Sequence, residues 1–300
     1  MNQTVKMQHY VPRFYLTYFT IDPTKDVPQV YCYGKPDRSQ FQTAITNIAG
    51  ETYFYEPPGD QPFENTLANI EGEFSKAYDK LIDARSLEVL DVNDRSAIAY
   101  SIALQELRTR ESREEFHEMF SKLRERLEDE PMTQEMENQI DELREMDSED
   151  GARDFQIDFI KSHGWEMAEH YLDLKWIVIE NESGQPFWTS DHPIVRHNTN
   201  DFGSYGNLGL KNRGIQVYLP LSPELSLGFV DPESFGDVPT HLTLDSTDEG
   251  LEHVTFQNSL QVREATRHLI SNRSNFTLAD DYLDEYPEYT NTDRDRVDMT

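Results

Sequence analysis

Gln8-His9-Tyr10-Val11-Pro12-Arg13-Phe14-Tyr15-Leu16 is the stretch on which the reading of this chain turns. A residue that precedes proline is pushed towards extended geometry, and proline suits a first helical turn. The stretch therefore predicts an extended entry carrying His9, then a short helix from about Pro12. Phe14, Tyr15, Tyr18 and Phe19 give that helix an aromatic side that packs inward. A titratable imidazole is thereby set at a rigid corner, held by core on its C-terminal side.

Beyond this corner, Gln29–Tyr33 reads as a strand ending at Gly34, and Glu51–Tyr55 as a second β signal stopped by Pro57-Pro58-Gly59. From Pro62 to about Arg85 the apolar residues Phe63, Leu67, Ile70, Phe74, Tyr78 and Leu81 recur at helical spacing. Glu64 and Glu71, seven apart, share a face of that helix. Asp91-Val92-Asn93-Asp94 is an N-terminal cap signal. It opens a helix that carries Gln105 and Arg108 on one face and is expected to run on to Leu127. Residues 111–150 are dominated by Glu and Asp with a thin apolar stripe, which predicts two exposed helices broken near Pro131. A further helix covers roughly Ala152 to His170.

The second half turns to β. Leu174–Ile179 reads as a strand, Asn181–Gly184 as a hairpin turn and Pro186–Thr189 as its partner. Ser190-Asp191-His192-Pro193 follows at once. Ile215–Leu219 and Leu225–Phe229 are two more strands joined by Pro220-Leu221-Ser222-Pro223, and a helix is expected from about Asp248 to Ser271, carrying Asn258. The fold class is α+β, with helices grouped in the N-terminal half and an antiparallel sheet in the C-terminal half. The organisation expected is one domain over residues 1–278 with an acidic helical insertion at about 111–150. An acidic, Pro-interrupted and disordered tail is expected over 279–300.

Charge is the compositional outlier: 57 acidic against 27 basic residues, net −30, with 18 Arg and only 9 Lys. Disordered chains are acidic too, but they lack the 3 Trp, 15 Tyr and 16 Phe found here. The composition fits a folded, halophilic protein, because molar salt shortens the Debye length to roughly 3 Å and screens the self-repulsion. Acidity of that origin argues only weakly against nucleic acid as a partner. One cysteine, Cys32, excludes an intrachain disulfide and a Cys-based zinc site. No run of 18 apolar residues occurs, so no membrane partner is expected and the protein is placed in the cytoplasm.

His9-Tyr10-Val11-Pro12, Phe14-Tyr15-Leu16, Phe54-Tyr55, the Glu64–Glu71 helix and Gln105-Glu106-Leu107-Arg108-Thr109 form one ordered set. Thr189-Ser190-Asp191-His192-Pro193, Pro220-Leu221-Ser222-Pro223 and Asn258 complete it. Together they resemble the family known as domain of unknown function 4238, over about residues 8 to 272. The resemblance brings no activity with it. Against the family's pattern, Arg110 stands where Pro is frequent and His192 where Asn is frequent, and the second departure leaves Asp191 a better candidate than His192.

The residue types themselves allow a chemistry. His9, Glu64, Glu71 and Asp191 can bind divalent cations, and hard carboxylate oxygens suit Mg²⁺ or Mn²⁺. Were the corner, the glutamate helix and the strand end after Trp188 to converge, a metal-dependent phosphodiesterase or nuclease, with a role in defence, would be the reading. Glu64, Glu71 and Asp191 would hold the metal. His9, Gln105, Arg108 and Asp191 would carry the catalysis, with Arg108 on the phosphate and Gln105 orienting water or a base. None of them stands at a diagnostic metal spacing. The alternative is a non-catalytic binding or regulatory module in which His9, Tyr10, Pro12, Gln105, Arg108, Ser190, Asp191 and Asn258 hold the fold together.

Overall fold

The computed structural model describes residues 4–128, 133–200 and 206–297. The chain opens with β1 (Met7–His9) and α1 (Arg13–Thr17), then β2 (Gln29–Gly34), β3 (Ser39–Ala44) and β4 (Gly50–Thr52). The β signal read over Glu51–Tyr55 is cut short because Tyr53 turns into the left-handed region, φ 55°, which a strand cannot contain. Helix α2 (Pro62–Ala84) has its proline in the first turn and ends at Arg85 in the left-handed conformation, φ 49°. Its periodic residues Phe63, Leu67, Phe74, Tyr78 and Leu81 are buried, as the spacing predicts.

Helix α3 (Val92–Leu107) starts in a capping box between Asp91 and Asp94. It does not run on to Leu127. Thr109 breaks it: its Oγ1 accepts the amide of Ser112 at 3.3 Å, capping α4 (Arg110–Glu128). After α5 (Gln134–Met146) and α6 (Glu149–Asp173), the acidic segment is tied to α6 by aromatic contacts. Phe116 and Phe120 meet Phe155 with centroids at 5.1 and 4.8 Å. The break expected near Pro131 lies outside the described residues.

The remaining elements are β5 (Lys175–Asn181), β6 (Thr189–Ser190), β7 (Val195–His197), β8 (Gln216–Ser222), β9 (Leu225–Val230), β10 (His241–Leu244), α7 (Asp248–Glu264), β11 (His268–Ser271) and α8 (Thr277–Glu285). Among the described residues they form three sheets: β1-β4, β10-β5-β9-β8-β7 and β3-β2-β11-β6. The class is α+β, with most helices in the first half and most strands in the second. The five-stranded sheet is mixed rather than purely antiparallel, since β10 runs parallel to β5.

Two local expectations fail for one reason, long-range pairing. Pro186–Thr189 is not the hairpin partner of β5; Thr189 and Ser190 pair with β11 in the other sheet. Asn258 on α7 holds the preceding backbone, accepting from Trp188 N at 2.8 Å and donating to Pro186 O at 3.0 Å. Helix α7, expected to reach Ser271, likewise stops at Glu264, because residues 268–271 become the strand between β2 and β6.

The expected disorder after residue 279 is also corrected. Ala279 and Leu283 of α8 are buried beside Tyr33 and Trp188. Further on, Arg294 and Arg296 reach the buried Glu111 of α4 at 2.5 and 3.0 Å. A carboxylate taken out of water needs such partners, and the tail supplies them.

Tyrosine hydroxyls bind the two halves together. Tyr15 of α1 bonds Thr189 Oγ1 and Pro220 O, both at 2.7 Å. Tyr78 of α2 donates to the Leu221 carbonyl. No helix among the described residues is long and apolar enough to cross a membrane.

Candidate functional site

The opening corner is built on the backbone of Tyr10. Its amide and that of Val11 bond the Ala49 carbonyl at 3.0 and 3.2 Å, which fixes the turn before Pro12. Its carbonyl accepts from Gln105 Nε2 at 2.8 Å and Arg108 Nε at 3.0 Å. The i, i+3 pair predicted on α3 thus grips the corner from one helix face. Arg108, 2 % exposed, also donates from Nη1 to Glu71 Oε1 at 2.8 Å, and Tyr55 donates to its carbonyl at 3.0 Å.

Four of the residues singled out in the sequence therefore meet here, and His9 stands beside them. Its Nε2 donates to Thr46 O at 3.3 Å. Burial lowers its pKa, with Arg13 adding to the effect, and the charges of Glu71 and Arg108 also reach the ring. The imidazole is accordingly neutral near pH 7, with Nδ1 as the free lone pair. Glu64 is partly buried, and desolvation raises its carboxyl to about 7 against the pull of Arg108. Three side-chain atoms of the group are buried without a protein partner: Glu64 Oε2, Gln105 Oε1 and Arg108 Nη2. Such atoms find a water or a ligand in a native structure.

The Ser190–Asp191 corner is engaged differently. Asp191, 1 % exposed, accepts three successive backbone amides: Thr266 at 3.0 Å, Arg267 at 2.8 Å and His268 at 3.2 Å. It is the anchor of the turn between α7 and β11. From the other side of that turn, Lys35 donates to the carbonyls of Ala265 and Arg263, and burial pushes its ammonium down to about 7. Ser190 Oγ bonds Gln261 Oε1 at 2.7 Å and takes the His192 amide at 3.1 Å.

A metal bound by Glu64, Glu71 and Asp191 does not fit these residues. Asp191 has both oxygens on backbone amides and Glu71 has one on Arg108. Among the described residues, no three His, Cys, Asp or Glu converge to hold an ion.

A second feature, which the sequence did not announce, lies where α3 gives way to α4. A cavity of about 360 Å³ is lined by Glu106, Glu115, Phe116, Phe159, His192 and Glu264 among others. His192 faces it while its Nδ1 bonds Thr109 Oγ1 at 2.7 Å. Glu115 is one acid among many in its segment, and only Phe116 beside it, four residues from Phe120, signalled that this helix face turns inward.

The fold and the corner define an α+β protein with a polar, partly unsatisfied side-chain cluster at its N-terminal turn. The chain belongs to the family described as protein of unknown function (DUF4238), whose profile matches residues 7–275. No curated protein and no solved structure matches the chain.

Proposed function

We propose that this chain hydrolyses phosphodiesters, with nucleic acid as the substrate class, through acid–base chemistry at the His9–Glu64–Arg108 corner. The observation that carries the reading is an unengaged Arg108 guanidinium N–H whose charge reaches both a carboxyl raised to about 7 and a neutral imidazole. A general acid and base work best when their pKa values lie near the operating pH. Arg108 Nη2 would hold a phosphoryl oxygen and offset the charge that grows on it. His9 Nδ1 would take a proton from the attacking water as its oxygen bonds phosphorus. Protonated Glu64 would give its proton to the ester oxygen that leaves, and Gln105 Oε1 would orient the water. No step is routed through Mg²⁺ or Mn²⁺, because Asp191 has both oxygens on backbone amides and Glu71 has one on Arg108.

The experiment is hydrolysis of bis(4-nitrophenyl) phosphate and of labelled single-stranded RNA and DNA in multimolar KCl, with and without EDTA. Glu64→Gln and His9→Ala should each lower the rate by roughly 10²-fold or more, and EDTA should leave it unchanged. A second reading, the non-catalytic module, is favoured by the full engagement of Ser190, Asp191 and Asn258 in backbone contacts. Wild-type protein with no turnover on any of these substrates would support it.

A further inference from the structure

The cavity between α4, α6 and the β6–β7 connection has a mixed lining. Its volume, about 360 Å³, falls in the range of small-molecule sites. The apolar part of the lining includes Phe116 and Phe159, whose rings pack at 5.3 Å, and Met167. The acidic part is three glutamates, Glu106, Glu115 and Glu264.

Two of the three acids are already answered. Glu106 takes Arg196 Nη2 at 2.8 Å and the Tyr171 hydroxyl at 2.6 Å. Glu264 takes Arg263 Nε at 2.6 Å. Glu115 has no hydrogen-bond or ion-pair partner among the described residues. Glu115 is exposed and lines the cavity. Glu111, Glu264 and Glu106 turn negative fields on it, and Arg196 opposes them. An unanswered carboxylate next to aromatic faces is the arrangement that recognises an ammonium group, by a charge-assisted hydrogen bond and by cation–π attraction.

We infer that this cavity binds a small organic amine, its ammonium on Glu115 and its apolar body against Phe116 and Phe159. The site is separate from the His9 corner. Gln105 and Arg108 turn to the corner, whereas Glu106 turns to the cavity, so the two share only the end of α3. Binding is coupled to a proton. Desolvation and the neighbouring acids raise the Glu115 carboxyl, and an incoming ammonium favours its ionised form, so binding releases a proton. His192 faces the same space with one ring nitrogen on Thr109.

The test is calorimetric titration of the full chain in 1 M KCl at pH 7 with propylamine, phenethylamine and tryptamine, and with 2-phenylethanol as the uncharged control. Each is run in phosphate and in PIPES, whose ionisation heats differ and neither of which is a primary amine. Expected are saturable binding of phenethylamine at least tenfold tighter than the alcohol, and release of about one proton per amine bound. Glu115→Gln should weaken the amine at least tenfold and abolish the release. Met167→Trp, which adds bulk to the apolar lining, should remove binding with Glu115 intact, and it decides the matter should Glu115→Gln fail to fold. The inference is overturned if no amine in the series saturates, if the alcohol binds equally well, or if binding survives both substitutions unchanged.

Discussion

Replacing Asp191 by Asn decides what the Ser190–Asp191 corner is for. The carboxylate accepts three backbone amides, one on Oδ1 and two on Oδ2, at a site closed to water. An asparagine amide keeps one carbonyl oxygen and turns an NH₂ group towards N–H donors that have no other acceptor. At least one buried backbone N–H is orphaned, and the charge that strengthened the remaining bonds is gone. An orphaned buried donor costs about 1–3 kcal/mol, and a hydrogen bond to a charged group contributes roughly 1.5–3 kcal/mol. The two effects together predict a loss of about 3–5 kcal/mol. For a chain of this size that is a fall in melting temperature on the order of 10 °C. The Lys35 ammonium across the turn adds to the loss, because Asp191 is one of the charges that favour it. The assay is guanidinium unfolding followed by tryptophan fluorescence, with near-ultraviolet circular dichroism to confirm a native fold. A loss below about 1 kcal/mol, accompanied by lost turnover or ligand binding, would refute the structural role and return Asp191 to the functional set.

Glu64→Gln should flatten the pH dependence of stability. The folded carboxyl keeps its proton up to about 7, against an ordinary 4.5, so the native state binds more protons than the unfolded one between these values and stability falls as pH rises through them. The full shift corresponds to roughly 3 kcal/mol; partial exposure reduces it to about 1–2 kcal/mol. Melting curves from pH 5 to 9 should show the variant gaining on wild type by pH 8, and parallel curves would count against the buried acid. Glu111→Gln leaves Arg294 and Arg296 without their carboxylate and should cost about 3–5 kcal/mol. Limited proteolysis should then cut the chain after residue 286, and an uncut tail would contradict the clamp. With a net charge of −30, melting temperature should climb as KCl rises from 0.1 to 2 M, since the screening length shrinks from about 10 Å to a few Å. A flat or falling curve would remove the halophile reading.

Much of the helical half was legible because its signals are local. Pro62 in a first turn and the Asp91–Asp94 box each name a helix start within four residues, and the β8–β9 hairpin follows from the strand–turn–strand pattern around Pro220–Pro223. That Gln105 and Arg108 act together was readable as well, because they lie three apart on one helix face; that Glu71 of α2 joins Arg108 was not. What stayed hidden has its cause far away in sequence. Helix α7 stops at Glu264 because Asp191, some 75 residues earlier, takes the amides that follow it. Thr189 and Ser190 leave the expected hairpin for a strand that begins at His268. The tail is ordered by Glu111, which sits 183 residues before Arg294. Glu115 was illegible for another reason: in so acidic a segment, nothing in residue type separates a carboxylate that meets water from one that faces a cavity.

The clamp between Glu111 and the last arginines bears on how the chain is made. During synthesis Glu111 is in place long before Arg294 and Arg296 exist, and β2 waits as long for β11, which must fit between it and β6. Contacts that span most of a sequence form late, since the intervening loop must first be closed. A chain released early would carry an unpaired acid where the interior should close and an unpaired edge on β2. Synthesis that halts before Arg294 would therefore leave this seam open, and only a chain that carries both arginines would lock.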